Sequence, residues 1–196
     1  DQAATFLLRL ARGSGLDGLS AMQKLAPWPQ PGPPGLVLAR PLLDVPSQGL
    51  RDYLTGRGQD WLEDPMNGVG QFARNRMRAL LPALAAAGLP VRRIAEAAAH
   101  LARARQALDL ATAAVLARAC IRQDGMLFVD PLALTAAPRE IGLRALAALL
   151  QGVSGAAYRP RFEALERLFD RIGAPGFRGA TLHGCRIAAA ARGVFG

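Results

Sequence analysis

"DQAATFLLRLARGSGLDGLSAM", from Asp1 to Met22, is the stretch whose reading decides the fold. Phe6, Leu7 and Leu10 fall between polar positions with the spacing of an amphipathic helix. The run Arg12-Gly13-Ser14-Gly15 stops that helix, and Leu16 onward supplies a second short helical turn. At about 100° per residue, positions 1, 4, 5, 8 and 12 share one face, so Asp1 and Arg12 are expected to point the same way. The carboxylate could hold a metal or orient a nucleophile. Arg12 and the turn after it could meet a phosphate through a guanidinium fork and exposed backbone N–H groups. The ordinary alternative is a plain helix stop, and these residues alone leave both readings open.

Working outward, Pro27 to Gly35 is a proline- and glycine-rich loop, and "LVLARPLL" reads as a strand ending at Pro41. Ser47 has the chemistry of an N-cap for a helix through Leu50, Tyr53 and Leu54 that stops at Gly56. A helix is expected from about Gln71 to Ala87, ended by Gly88 and Pro90. Ile94, Leu101, Leu108 and Val115 recur every seventh residue, which predicts one long helix to about Ala119. "GMLFVD" reads as a short strand, and "APREIGLRALAALL" and "RPRFEALERLFDRIG" as helices with prolines near their starts. "ATLHGCRIAA" alternates and is expected to be one strand. Composition shifts near Gly88, from loops and short elements to long helices, and a domain boundary is expected there.

The chain has 196 residues, 51% of them hydrophobic, enough for a real core in one large domain or two small ones. No apolar run reaches membrane-spanning length and no leader segment opens the sequence, so a cytoplasmic protein without a membrane partner is expected. Cys120 and Cys185 stand too far apart for a disulfide framework or a zinc site, and His100 and His183 are isolated. Cys120 reads as a small buried hydrophobe, and His183 with Cys185 as packing or strand surface rather than a catalytic pair. The net charge is +9, and all but one of the 24 basic residues are arginine, the exception being Lys24. Arginine suits bidentate phosphate contacts, so RNA or DNA is the natural partner, although an arginine-rich genome would write the same bias.

The motifs of the first 84 residues resemble those of the tRNA(Ile)-lysidine synthetases, ATP-dependent ligases of the PP-loop ATP-pyrophosphatase group. Asp1 to Met22 looks like that family's HHxDDQAETxLxRLxRGSGLxGLxxM, and "RPLL", "YL", "WLEDPMN" and "FARNRMRALLPAL" follow in the family's order and spacing. The resemblance implies a mainly α chain: a truncated C-terminal part of an α/β ATP-pyrophosphatase domain over residues 1–87, then a helical tRNA-contacting domain with short β-strands over 88–196, incomplete at its C-terminus. It also implies the reaction. ATP adenylates C2 of cytidine 34 in the CAU anticodon of an isoleucine tRNA, with Mg2+ neutralising phosphate charge, and free lysine then displaces AMP to give lysidine. A homodimer is a further expectation.

Carried over residue by residue, Asp1 matches the second Asp of the family motif, in the ATP and metal site, and Arg12, Gly13 and Ser14 match its nucleotide-lining RGSG element. Ala4 departs from the family's Glu. The Ser-Gly-Gly-x-Asp-Ser pyrophosphate loop is not in the sequence, nor are the two His and first Asp that precede Asp1 in the family motif. The chain is therefore expected to be a fragment without chemistry of its own. The alternative from another class is a helical RNA-binding module that carries no catalysis, and a purely structural interaction domain is a third.

Asp64, Asn67 and Asn75 read as a structural polar turn in "DPMNGVGQFARNRMR", with Asp64, Asn67 and Arg74 fixing the turn against the next helix. Arg74 and Arg78 lie one turn apart on one side of that helix, with Arg76 about 200° round from Arg74. Arg74, Arg76 and Arg78 are candidates for facing tRNA or substrate, as are Arg92 and Arg103, which share a face with Glu96 away from the Ile94 seam. Arg159, Arg161, Arg167 and Arg171 form a second basic group that Glu163 and Glu166 dilute, which favours a solvated face.

Overall fold

Apolar periodicity, proline starts and glycine stops set the helices in the computed structural model, which describes residues 2–28, 35–63, 72–123 and 125–189. The chain divides into two compact units, Asp1–Gln106 and Ala107–Gly196, and the division falls inside one long helix. The protein is mainly helical, and the strands of the described residues form two-stranded antiparallel pairs.

In the first unit, α1 (Gln2–Leu10) is followed by the four-residue α2 (Leu16–Leu19). The hairpin of β1 (Leu25–Pro27) and β2 (Val37–Ala39) pairs Leu25 with Ala39. Only β2 was expected, and it is shorter, because its ladder ends where Arg40 N–H donates to the Lys24 carbonyl just ahead of Pro41. Helix α3 (Ser47–Gly56) begins one residue earlier than a Ser47 cap requires: Pro46 holds the N-cap position and Ser47 is already helical. Helix α4 (Ala73–Ala86) contains Pro82, whose ring withdraws the bond that the Arg78 carbonyl would otherwise accept. Gly88, at φ 89°, lets the chain turn out of α4, and Leu89 N–H closes back on the Leu84 carbonyl.

Helix α5 (Val91–Ala119) follows the seven-residue seam. Ile94 and Ala98 are buried in the first unit, and Val115 and Ala119 in the second. The second unit continues with a hairpin of β3 (Cys120–Gln123) and β4 (Met126–Val129), then α6 (Pro131–Thr135), α7 (Arg139–Ser154) and α8 (Phe162–Ile172). Neither β3 nor α6 was expected, yet Asp130 caps α6 by accepting from Leu132 N–H at 2.9 Å, with Pro131 in the first helical position. Gly142 is where α7 comes closest to its neighbours, because a Cβ there would lie 2.6 Å from the Leu134 carbonyl oxygen and from the Phe169 ring. Leu134, Leu146, Leu150, Leu165, Leu168 and Phe169 fill this core.

The expected single strand over 180–189 is instead a hairpin, β5 (Gly179–Leu182) and β6 (Cys185–Ala188). His183 at φ 55° and Gly184 at φ 76° form its two-residue turn, the left-handed pair that matches strand twist. Cys185 is buried and donates its thiol to the Leu150 carbonyl at 3.3 Å, so its role is packing. Cys120 is half-buried, and desolvation raises its thiol above the ordinary range.

Candidate nucleotide and RNA site

The first unit is tied together by side chains reaching main chain across the motif. Gln2 uses both ends of its amide on Met22, donating to the carbonyl at 3.1 Å and accepting from N–H at 2.9 Å. Arg9 donates to the Gly18 carbonyl at 2.8 Å, which fixes α2 against α1. Ser20 is buried, donates to the Asp17 carbonyl at 2.9 Å and accepts from Arg105 at 3.0 Å, while Ala21 N–H donates to the Ala98 carbonyl. The loop after α2 is thus pinned to α5. Gly18 has no room for a side chain, since a Cβ would lie 2.5 Å from Ser14 Cβ.

The expected phosphate-binding element lies at the end of α1, and three of its N–H groups are already in use. The N–H of Arg12 donates to the Arg9 carbonyl, that of Gly13 to Leu10, and that of Ser14 to Arg9, at 2.9–3.1 Å. These bonds satisfy the last carbonyls of the helix, whose C-terminal dipole repels an anion. The N–H groups of Arg12, Gly13 and Ser14 are therefore taken up at the end of α1, and the exposed Arg12 guanidinium and half-buried Ser14 hydroxyl are the polar side-chain groups of the turn. Arg12 also lies in the turn beyond α1, so the shared helical face with Asp1 does not extend to it, and Asp1 itself is outside the described residues.

Ala4 is buried at 1% exposure beside buried Thr5, where α1 packs on α4. Arg74 crosses between the two helices and donates to Thr5 Oγ1 at 3.0 Å. The expected partnership of Arg74 with Asp64 and Asn67 falls on residues outside the described ones. Asn75, Arg76 and Arg78 sit on α4 and are each engaged with other groups of the chain. Arg92 pairs with Glu96 at 2.5 Å one turn along α5, with both side chains exposed, and Arg103 is exposed as well. The residues missed from sequence are Gln2, Thr5, Arg9, Ser20 and Arg105. Only the polar Ser20 inside an apolar run hinted at them.

The described residues do not by themselves fit a complete ATP or Mg2+ site. The crevice lined by Gln2, Thr5, Arg9, Ser20 and Ala98 has no room for even a water molecule, against the roughly 300–1,000 Å³ of ligand pockets. Among the described residues no group of three or more His, Cys, Asp or Glu could hold a metal. No helix among them is long and apolar enough to cross a membrane.

Residues 1–84, the segment built around α1, α2 and α4, match the family model of the PP-loop domain. Beyond that segment the likeness runs nearly the whole length. The chain is 38% identical over 188 residues to the tRNA(Ile)-lysidine synthase of Ruegeria pomeroyi, covering 95% of this chain and 43% of that protein. It is 37% identical to the synthase of Hyphomonas neptunium over 96% of this chain, and 40% identical to that of Bradyrhizobium diazoefficiens over 92%, in each case 51% of the relative. The resemblance carried by the five ordered motifs is borne out. The chain spans about half the length of the curated relatives it matches.

Proposed function

We propose that this chain forms part of an ATP-dependent ligase that converts cytidine 34 of an isoleucine tRNA to lysidine. The observation that carries the reading is the similarity to synthases of that name along more than nine-tenths of the chain, with the PP-loop match at its start. The C2 oxygen of cytidine attacks the α-phosphorus of ATP and pyrophosphate leaves. An amine of free lysine then adds at C2, the C2–O bond breaks, AMP departs with that oxygen, and the amine gives up a proton. Adenylation is needed because a pyrimidine carbonyl is a poor electrophile and AMP is a good leaving group.

In this reading the chain's own residues bind and orient. Arg12 and Ser14 meet the nucleotide through side chains, since their N–H groups cap α1. Asp1 supplies a carboxylate, and Arg74, held at Thr5, sets the separation of α1 and α4 and thus the site's floor. Arg76 and Arg78 face tRNA. The pyrophosphate cradle is supplied by the Ser-Gly-Gly-x-Asp-Ser element, which is not among these 196 residues. The relatives being synthases speaks against the alternative of an RNA-binding module without chemistry.

The test is ATP–pyrophosphate exchange. The 196-residue chain is expected to show none, and a chain carrying the Ser-Gly-Gly-x-Asp-Ser element ahead of Asp1 is expected to exchange and to release AMP when tRNA and lysine are added. Lysine-dependent AMP release by the 196 residues unaided would overturn the division of the site, and failure of the longer chain would overturn the ligase reading.

A further inference from the structure

Helix α2 is one turn long, and a single turn does not hold itself, because nucleation fixes several residues for few hydrogen bonds. Neighbouring groups supply the missing support. The Leu16 carbonyl accepts from Ser20 N–H at 2.9 Å, the Asp17 carbonyl from the Ser20 hydroxyl at 2.9 Å, and the Gly18 carbonyl from Arg9 at 2.8 Å. Ser20 thus clamps the C-terminal end of α2. It is 2% exposed, and its hydroxyl oxygen accepts in turn from the Arg105 guanidinium at 3.0 Å, a bond that the donor's charge strengthens. Ala21 N–H adds a second tie to α5, at the Ala98 carbonyl 3.2 Å away.

The opposite side of α2 bears on Ser14. Gly18 comes so close that a Cβ there would lie 2.5 Å from Ser14 Cβ and 2.9 Å from Ser14 Oγ. Helix α2 therefore cannot move towards the RGSG turn without displacing the Ser14 side chain, whose own N–H is fixed on the Arg9 carbonyl at 3.0 Å. Arg105 lies 85 residues beyond Ser20 and outside residues 1–84, yet inside the first compact unit, which runs to Gln106. A half-buried arginine from beyond the PP-loop match thus completes the support of the motif.

We propose that Arg105 is a positioning residue for the adenylation step: through Ser20 it holds α2 against the RGSG turn, and so fixes where Ser14 presents its hydroxyl to ATP. The proposal rests on the reading of Ser14 as a nucleotide contact. Arg105 itself touches neither substrate. Its effect is one of placement, and a misplacement of about 1 Å can cost on the order of 100-fold in rate.

The test is the ATP dependence of pyrophosphate exchange by the chain that carries the Ser-Gly-Gly-x-Asp-Ser element ahead of Asp1, with tRNA(Ile) transcript saturating and lysine omitted. R105M and S20A are each expected to raise KM for ATP roughly five- to tenfold with kcat held within about twofold, the pattern of a lost binding contact. S14A is expected to raise KM at least as far, and R105M is expected to add nothing in the S14A background, because both changes remove the same contact. L134A, which loosens the second unit, is expected to leave KM for ATP unchanged, so loss of stability alone does not produce the effect. R105M with wild-type KM, or with a lowered kcat at unchanged KM, would overturn the positioning role while leaving the ligase reading intact. Additive effects of S14A and R105M would overturn the route through Ser14, and S14A with wild-type KM would remove the nucleotide contact on which the proposal rests. Absence of exchange by the unsubstituted longer chain would overturn the ligase reading itself.

Discussion

The two units are held together by different forces. Among the described residues of the first, the buried apolar side chains are Ala3, Ala4, Ile94 and Ala98, three of them alanine, and the elements are joined by Gln2, Arg9, Ser20, Arg74 and Arg105 reaching other strands of chain. The second buries a continuous cluster of leucines with Phe169 across α6, α7 and α8. Apolar burial is non-directional and contributes about 25 cal/mol per Å², whereas a hydrogen bond nets about 1 kcal/mol but fixes a distance and an angle. The first unit therefore relies more on positioned contacts than on apolar volume. It also leaves Trp28, Trp61 and Leu62 exposed, and Leu62 fully so.

The largest effect that would break this contrast is loss of core volume. Leu134 is fully buried, and L134A is expected to destabilise the second unit by about 3 kcal/mol in urea unfolding followed by far-UV circular dichroism. Both tryptophans, Trp28 and Trp61, lie in the first unit, so their fluorescence reports that unit alone. A tryptophan midpoint that moves as far as the dichroism midpoint would show one cooperative structure in place of two. Next in size, R105M removes a donor to buried Ser20 and is expected to cost about 1 kcal/mol in the tryptophan transition. R103M, on the exposed face of the same helix, is the control and is expected to change stability by less than about 0.5 kcal/mol.

What the sequence discloses differs between the units for the same reason. Apolar period shows on its face, so α5, α7 and α8 are legible from Ile94, Leu146, Leu165 and their neighbours. Directional bonds to main chain leave no trace, because the partner of Gln2 is the backbone of Met22 and any residue type could supply it. The hairpin over 179–188 escaped because two short strands joined by a two-residue turn alternate like one strand, although His183-Gly184 is a turn signal. Helix α6 escaped because five residues show no period, although Asp130-Pro131 announces its start. In the site, motif order pointed to the PP-loop segment, but not to the fact that the N–H groups of Arg12, Gly13 and Ser14 end α1.

The smallest effect sharpens the contrast at the surface of the second unit. A hydrogen bond from Arg139 holds the Asp170 carboxyl below its ordinary range, with the attraction of the same guanidinium adding to it. A lowered carboxyl binds fewer protons folded than unfolded, so its contribution is fully present above the unfolded value near pH 4 and is lost as the pH falls through the folded one. The dichroism midpoint of the wild type is therefore expected to drop more steeply below about pH 4 than that of D170N. Both partners are exposed, so 0.5 M salt is expected to shrink the difference. Identical acid limbs for the two proteins would show that Arg139 organises the charges of α8 without stabilising it.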